Sequence, residues 1–170
     1  MSIASTLRAP AHNRINWTRT IAVLIFAIAS LAFAVISRAE QASSEQAMAL
    51  AASDPSLKWG PCPSIFPKGC ELTIVHGDPA KPNADAMLRV PAGYEIPAHW
   101  HTSPERMILV TGKLQVSYKG QKAMTLAERE YAYGPAKAPH KASCVSKEPC
   151  TLFIAFESGV DAHAYTGKLD

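Results

Sequence analysis

Apolar positions follow three different rhythms along this chain. Residues 20–37 are nearly all apolar and carry no charge, with Ile21-Ala22-Val23-Leu24-Ile25-Phe26 at the front. Residues 40–56 are polar and alanine-rich and show no sustained period, which reads as a connector. From Leu57 onward, apolar and polar residues alternate over short runs broken by Gly, Pro, Asn and Asp. That is the period of strands with one face buried. It predicts strands over 71–76, 86–90, 106–111, 113–118, 121–126, 131–133, 141–145 and 151–157. Residues 77–83 read as a loop, and Lys119-Gly120 as the turn of a hairpin. The proline-rich stretch 57–68 reads as an irregular lead-in that packs Trp59 and Phe66 onto the strands. No helical period follows residue 57. Many short strands at regular spacing predict an all-β sandwich or barrel.

The continuous apolar run has a different explanation. Arg8, Arg14 and Arg19 precede it, and Ser37-Arg38-Ala39 follows it with small residues at both ends. A positive segment, an apolar segment and a small-residue cleavage site form an export signal. The run is long for a signal and just long enough for a membrane span, so a retained anchor is the alternative. Both place the N-terminus in the cytoplasm and the rest outside. The expected organisation is 1–39 signal or anchor, 40–56 linker and 57–170 folded domain, in a periplasmic or extracellular setting.

Charge sharpens this picture. The chain has 17 Lys and Arg against 14 Asp and Glu, a net +3. Four of those bases precede residue 40 and no acid does. The remaining 13 bases meet 14 acids, a balance of −1. The basic character belongs to the leader, and nothing argues for a nucleic-acid partner. Contact with a membrane is expected only through the leader.

The chemistry concentrates between Gly93 and Gly112. His99 and His101 are two apart, so on a strand both leave one face. Glu105 follows the short polar turn Thr102-Ser103-Pro104 and opens the next strand. Two imidazoles and a carboxylate converging this way make most of a metal site with nitrogen and oxygen ligands. Trp100, between the two histidines, should face the other way and serve packing. Met107 and Leu109 share the face of Glu105.

The spacing of Gly93, His99, His101, Glu105 and Gly112 resembles the first motif of the cupins: glycine, five residues, His-x-His, three residues, Glu, six residues, glycine. The second cupin motif should bring one more histidine, and Pro135 and His140 stand at its separation. Three positions depart from it. Arg129 and Lys137 replace glycines, and Cys144 replaces an asparagine. Gly134 and Pro139 are the candidates for rebuilding the tight turn before His140. The resemblance spans roughly residues 60–160. It implies a single small jelly-roll barrel and a divalent transition metal (Mn, Fe, Ni, Cu or Zn) held by His99, His101, Glu105 and His140. His76 and His163 match neither motif and read as surface or strand-end histidines. Arg89 and Tyr118 are candidates for substrate contact or for solvated positions.

Four cysteines follow the leader: Cys62, Cys70, Cys144 and Cys150. An even count in an exported chain predicts disulfides. Cys62–Cys70 and Cys144–Cys150 each close a short loop rich in turn residues and are the expected pairs. Residues 146–149 read as a hairpin turn. Cys144 carries a conflict, because strand parity with His140 points it inward. Either it is a free thiol near the metal or a bulge turns it outward to its partner.

Two functions fit these residues. One is a metal-dependent enzyme acting on a small organic acid or diketone-like molecule, with oxidase or dioxygenase-like chemistry. The alternative is a non-catalytic envelope module that binds a metal or small molecule, as a sensor would. A metal-free sugar-nucleotide epimerase fits worst, since export removes it from nucleotide sugars. A homodimer is compatible with the pattern.

Overall fold

The computed structural model describes residues 46–170. The expected signal or anchor at 1–39 lies outside the described residues. No helix among the described residues is long and apolar enough to cross a membrane.

The described strands are β1 (Gly60–Pro61), β2 (Glu71–His76), β3 (Ala84–Val90), β4 (Glu95–Trp100), β5 (Glu105–Thr111), β6 (Leu114–Tyr118), β7 (Met124–Leu126), β8 (Tyr131–Gly134), β9 (His140–Cys144), β10 (Cys150–Phe156) and β11 (His163–Ala164). One sheet runs β1-β2-β3-β10-β5-β8 and the other β11-β4-β9-β6-β7, with antiparallel pairing throughout. This is an all-β jelly roll, as the alternation and the motif predicted. Each sheet sends alternate side chains into the space between them. Cys150, Leu152, Ile154 and Phe156 come from β10, Met107 and Leu109 from β5, Leu114 and Val116 from β6, and Ala142 and Cys144 from β9. Leu109 is fully buried. Truncating such a leucine to alanine costs about 2–5 kcal/mol.

Two features depart from simple alternation, and both bear on the interior. In the β4–β9 ladder, Ile96 faces Ala142, but His99 rather than Ala98 faces His140. One extra residue is accommodated at Pro97-Ala98, a β-bulge where proline's missing N–H removes a ladder donor anyway. The bulge resets parity, so Ile96 and His99 are both buried although they are three apart. The second feature is the segment between β9 and β10. It is not the expected hairpin turn. β9 lies between β4 and β6, whereas β10 lies between β3 and β5, so 145–149 crosses from one sheet to the other.

That crossing resolves the conflict at Cys144. Its side chain does point inward, as parity required, and Cys150 points inward from the opposite sheet. They are bonded, with Cα atoms 5.8 Å apart. The disulfide sits buried between the sheets and needs no bulge. Cys62 and Cys70 form the other predicted bond.

Element boundaries shift modestly from the expected ones. β3 starts at Ala84 rather than residue 86. β7 covers only Met124–Leu126, because the Gln121 N–H closes the turn onto the Tyr118 carbonyl at 3.0 Å and leaves the ladder. The two-residue strands β1 and β11 carry no period that a sequence can show.

Candidate metal centre

Three histidines meet between the sheets. His99 stands near the end of β4, His101 lies just beyond it, and His140 opens β9. All three are buried. One ring nitrogen from each lies within 4.8 Å of the others. Their rings sit 4.2–5.4 Å apart, centre to centre.

The backbone fixes which nitrogen faces the centre. His99 Nδ1 lies 2.8 Å from the Pro97 carbonyl and His140 Nδ1 3.0 Å from the Ala138 carbonyl. His101 Nδ1 contacts the Asp161 carbonyl. A carbonyl only accepts, so each Nδ1 carries a proton and each Nε2 is the nitrogen turned to the centre. The bulge at Pro97 supplies one of these carbonyls, which is why the irregular strand matters here.

Glu105, at the start of β5, faces two of the three. Its Oε2 lies 3.5 Å from His101 Nε2 and its Oε1 3.3 Å from His140 Nε2. Tyr118 donates its hydroxyl to Oε1 at 3.3 Å. Tyr118 also faces His140 across the β6–β9 ladder, with its ring 4.8 Å away. It is buried, so a solvated position does not describe it. Burial first, then the Glu105 charge and hydrogen bond, push its hydroxyl pKa upward, so it stays a donor.

The electrostatics favour a cation. Burial, helped by the neighbouring His140 and His101 rings, lowers the His99 pKa from 6.5 to about 3. Burial likewise lowers that of His140, although Glu105 and the Ala138 carbonyl pull the other way. His99 and His140, held neutral, turn lone pairs inward beside the Glu105 carboxyl group and give acceptors at the centre. Nitrogen and carboxylate donors of this kind suit a divalent transition ion.

Two residues outside the motifs hold His101 and its turn in place. Ser103 is fully buried, and its Oγ accepts the backbone N–H groups of Glu157 and Ser158 at 2.8 and 3.0 Å. It ties the His101–Glu105 turn to the end of β10. Asp161 receives His101 on its carbonyl and the Thr102 N–H on its carboxylate at 2.8 Å. Burial opposes its charge, but the Thr102 hydrogen bonds and His163 outweigh it and hold its carboxyl below the usual range. His163 binds Asp161 at 3.1 Å and stacks on Trp100 at 4.2 Å. Trp100 thus faces away from the centre, as its position between two inward histidines predicted. Ser103 was visible as part of the turn between His101 and Glu105, whereas an isolated aspartate in a C-terminal loop gives no sequence signal.

Gly134 plays a different part from the one expected. It ends β8 opposite Glu105. A Cβ there would meet Glu105 Cγ and Oε1 at 2.7 Å and strike the Tyr118 hydroxyl. The glycine makes room for the carboxylate. The turn is made by Pro135–Ala138, with Lys137 at φ 58°. Arg129 stands at φ 69°. Both positions where the second motif has glycine thus keep a glycine's backbone without a glycine. Arg89 is also elsewhere. It pairs with Glu71 at 2.6 Å on the outer surface and lies over Trp59. His76 lies 3.9 Å from Asp85 at the end of β2.

A cavity of about 90 Å³ opens from the histidines into the apolar interior. Leu114, Val116, Ala142, Leu152 and Ile154 line its depth. Phe66, on the loop closed by Cys62–Cys70, sets its ring edge against His99 at 4.9 Å.

The family model of the ChrR cupin-like domain matches residues 47–158. The chain belongs to this family. Solved structures agree on the fold. A chain from crystal structures of the DMSP lyases RdDddP and RnDddQII matches with a TM-score of 0.58 at 16% identity, covering 66% of this cupin and 64% of that chain. An RmlC-like cupin from Shewanella frigidimarina matches at 0.54 and 15% identity, covering 68% of this chain and 93% of that one. Oxalate decarboxylase from Bacillus subtilis matches at 0.52 and 19% identity, covering 62% and 29%. This cupin therefore spans 64% of the lyase chain and 29% of the decarboxylase, and at these identities the likeness is one of fold alone. No curated protein sequence matches the chain.

Proposed function

We propose that this cupin holds a divalent transition metal on His99, His101, Glu105 and His140, and that it is a metal-dependent enzyme with oxidase or dioxygenase-like chemistry on a small organic molecule. The observation that carries the metal is the set of three Nδ1–H groups tied to backbone carbonyls. It leaves three preoriented Nε2 lone pairs converging beside a buried carboxylate. When bound, the ion would act as a Lewis acid and redox centre next to the cavity. The chain's own residues do the rest. Asp161, Pro97 and Ala138 orient the imidazoles. Tyr118 holds Glu105, and the apolar walls keep water from the reacting end. Enzymes with related folds, by their names, act on DMSP and on oxalate, which supports catalysis on small molecules.

We further propose that residues 1–39 export the chain and that 57–170 work in an oxidising compartment, with or without retention at the membrane. Two formed disulfides support this setting.

Elemental analysis of the purified chain, expressed with Mn, Fe, Ni, Cu and Zn available, tests the site. Near-stoichiometric metal is expected, lost in His101→Ala together with the thermal stabilisation that added metal gives the parent. A parent chain without metal would sink the assignment. Oxygen uptake with a panel of small carbonyl compounds and acids then tests turnover. One observation favours the non-catalytic reading. Among the described residues, the only carboxylate on the cavity besides Glu105 is Asp161, already engaged by Thr102 and His163. Metal without uptake on any compound would select that reading.

A further inference from the structure

Two segments border the cavity beside the histidines, and they are held in different ways. Residues 160–162 form one side. The Val160 N–H donates to the Pro79 carbonyl at 2.8 Å, and Asp161 is bound by His101 and Thr102. The loop between β1 and β2 forms the other side, through Cys62, Pro63, Phe66 and Cys70. Among the described residues its ties are few. β1 meets β2 over two residue pairs, the Cys62 N–H donates to the Cys70 carbonyl at 3.1 Å, and Tyr94 donates its hydroxyl to the Pro67 carbonyl. The Phe66 N–H donates within the loop, to the Pro63 carbonyl at 3.0 Å. The cross-link Cys62–Cys70 closes the loop at its two ends. Phe66 is half-buried, and its edge rests on the His99 ring, which is buried. The phenyl ring thus stands between solvent and one of the three imidazoles. A surface loop with so few contacts opens locally at small cost, and a cross-link between its ends removes most of the open conformations.

We propose that the 62–70 loop is a lid on the histidine centre, with Phe66 as its plug and Cys62–Cys70 as its latch, and that reduction of this disulfide by a dithiol opens the centre to solvent. Cys62 is partly exposed and Cys70 buried, so a thiolate of the dithiol attacks Cys62 Sγ and Cys70 leaves as a thiolate that takes up a proton. The second thiol of the reductant then displaces Cys62. Two protein thiols and one reductant disulfide result, with two electrons and two protons passed to the protein. The lid's role at a metal rests on the reading given above, whereas the cover over His99 stands without it.

Diethyl pyrocarbonate acylates accessible neutral imidazoles, and peptide mass spectrometry on the full chain reads the rate at each histidine. The reaction is run on chelated protein, oxidised and after mild reduction with the dithiol removed. The state of the four cysteines, and the metal content before chelation, are measured on the same samples. His99 should react about tenfold faster once Cys62 and Cys70 are thiols and Cys144–Cys150 is intact, while the exposed His76 and His163 keep their rates. Phe66→Ala should give the same gain with the disulfide formed, and Cys62→Ser with Cys70→Ser should give it without reductant. An unchanged His99 rate in the reduced parent or in folded Phe66→Ala overturns the proposal. So does a gain that appears only as the near-ultraviolet circular dichroism of the fold is lost. The two readings fail separately. A chain isolated without metal whose His99 opens on reduction keeps the lid and loses the metal site. A metal-bearing chain whose His99 rate ignores reduction does the reverse.

Discussion

Lys137 and Arg129 offer a quantitative test of how the site is built. Both occupy the left-handed backbone region, at φ 58° and 69°. For an L-residue with a Cβ this region costs about 1–2 kcal/mol. Glycine removes that cost, but it frees the unfolded chain by about 0.4–1 kcal/mol. The difference predicts that Lys137→Gly and Arg129→Gly each stabilise the fold by about 0.5–1 kcal/mol. The gain should appear as a rise of a few degrees in Tm. Neither turn needs its side chain for backbone pairing. The Lys137 N–H donates to the His101 carbonyl at 2.8 Å, and the Arg129 N–H to the Leu109 carbonyl at 2.7 Å, and glycine keeps both. Lys137→Ala is the control, because it removes the long side chain and keeps the strain. Chemical denaturation compares the three forms at each position. Glycine variants less stable than the alanine variants, the ordinary ranking at relaxed positions, would refute the strain assigned to these turns.

Three further outcomes follow from the same geometry. Gly134→Ala should destabilise by about 1–3 kcal/mol and lower metal content, since its Cβ would press on Glu105 Cγ at 2.7 Å; a variant with parental Tm and metal would refute the crowding. Cys144–Cys150 should resist reductant in the native protein because both cysteines are buried, whereas Cys62 is partly exposed; alkylation under mild reduction should label Cys62 and Cys70 first, and Cys144→Ser with Cys150→Ser should cost roughly 2 kcal/mol. In chelated protein, His99 stays neutral in the fold to about pH 3 but accepts a proton near 6.5 when unfolded. Its contribution is therefore complete above pH 6.5 and is lost as pH falls toward 3, at up to about 1.4 kcal/mol per pH unit; a denaturation midpoint that stays flat between pH 6.5 and 4 would contradict the buried neutral imidazole.

Reading the chain as a sequence reached the architecture because its strands follow the period-two pattern that burial of one face imposes. β5, β6, β9 and β10 alternate almost without exception. The clustering of His99, His101 and His140 was legible for a related reason. The spacing within each motif is set by strand geometry, and the sequence displays that spacing directly. What stayed hidden lies in pairings between distant segments. Alternation alone describes His99 and His101 correctly, but it misses that a bulge at Pro97 is what turns His99 inward, because a bulge is a property of two strands and not of one. The same holds for the disulfide. The parity of Cys144 was read correctly, and the difficulty came from placing its partner on a neighbouring strand rather than across the interior. Gly134 teaches the complementary point. A glycine beside a proline suggests a turn when only local conformation is considered. Here its missing side chain serves a carboxylate 29 positions earlier, and its function becomes visible only when β8 is laid against β5. The three histidines and Glu105 are thus encoded locally, while the space around them is encoded by contacts across the fold. Substitutions at Gly134 and Pro97 should therefore disturb the centre without replacing any of the three histidines or Glu105.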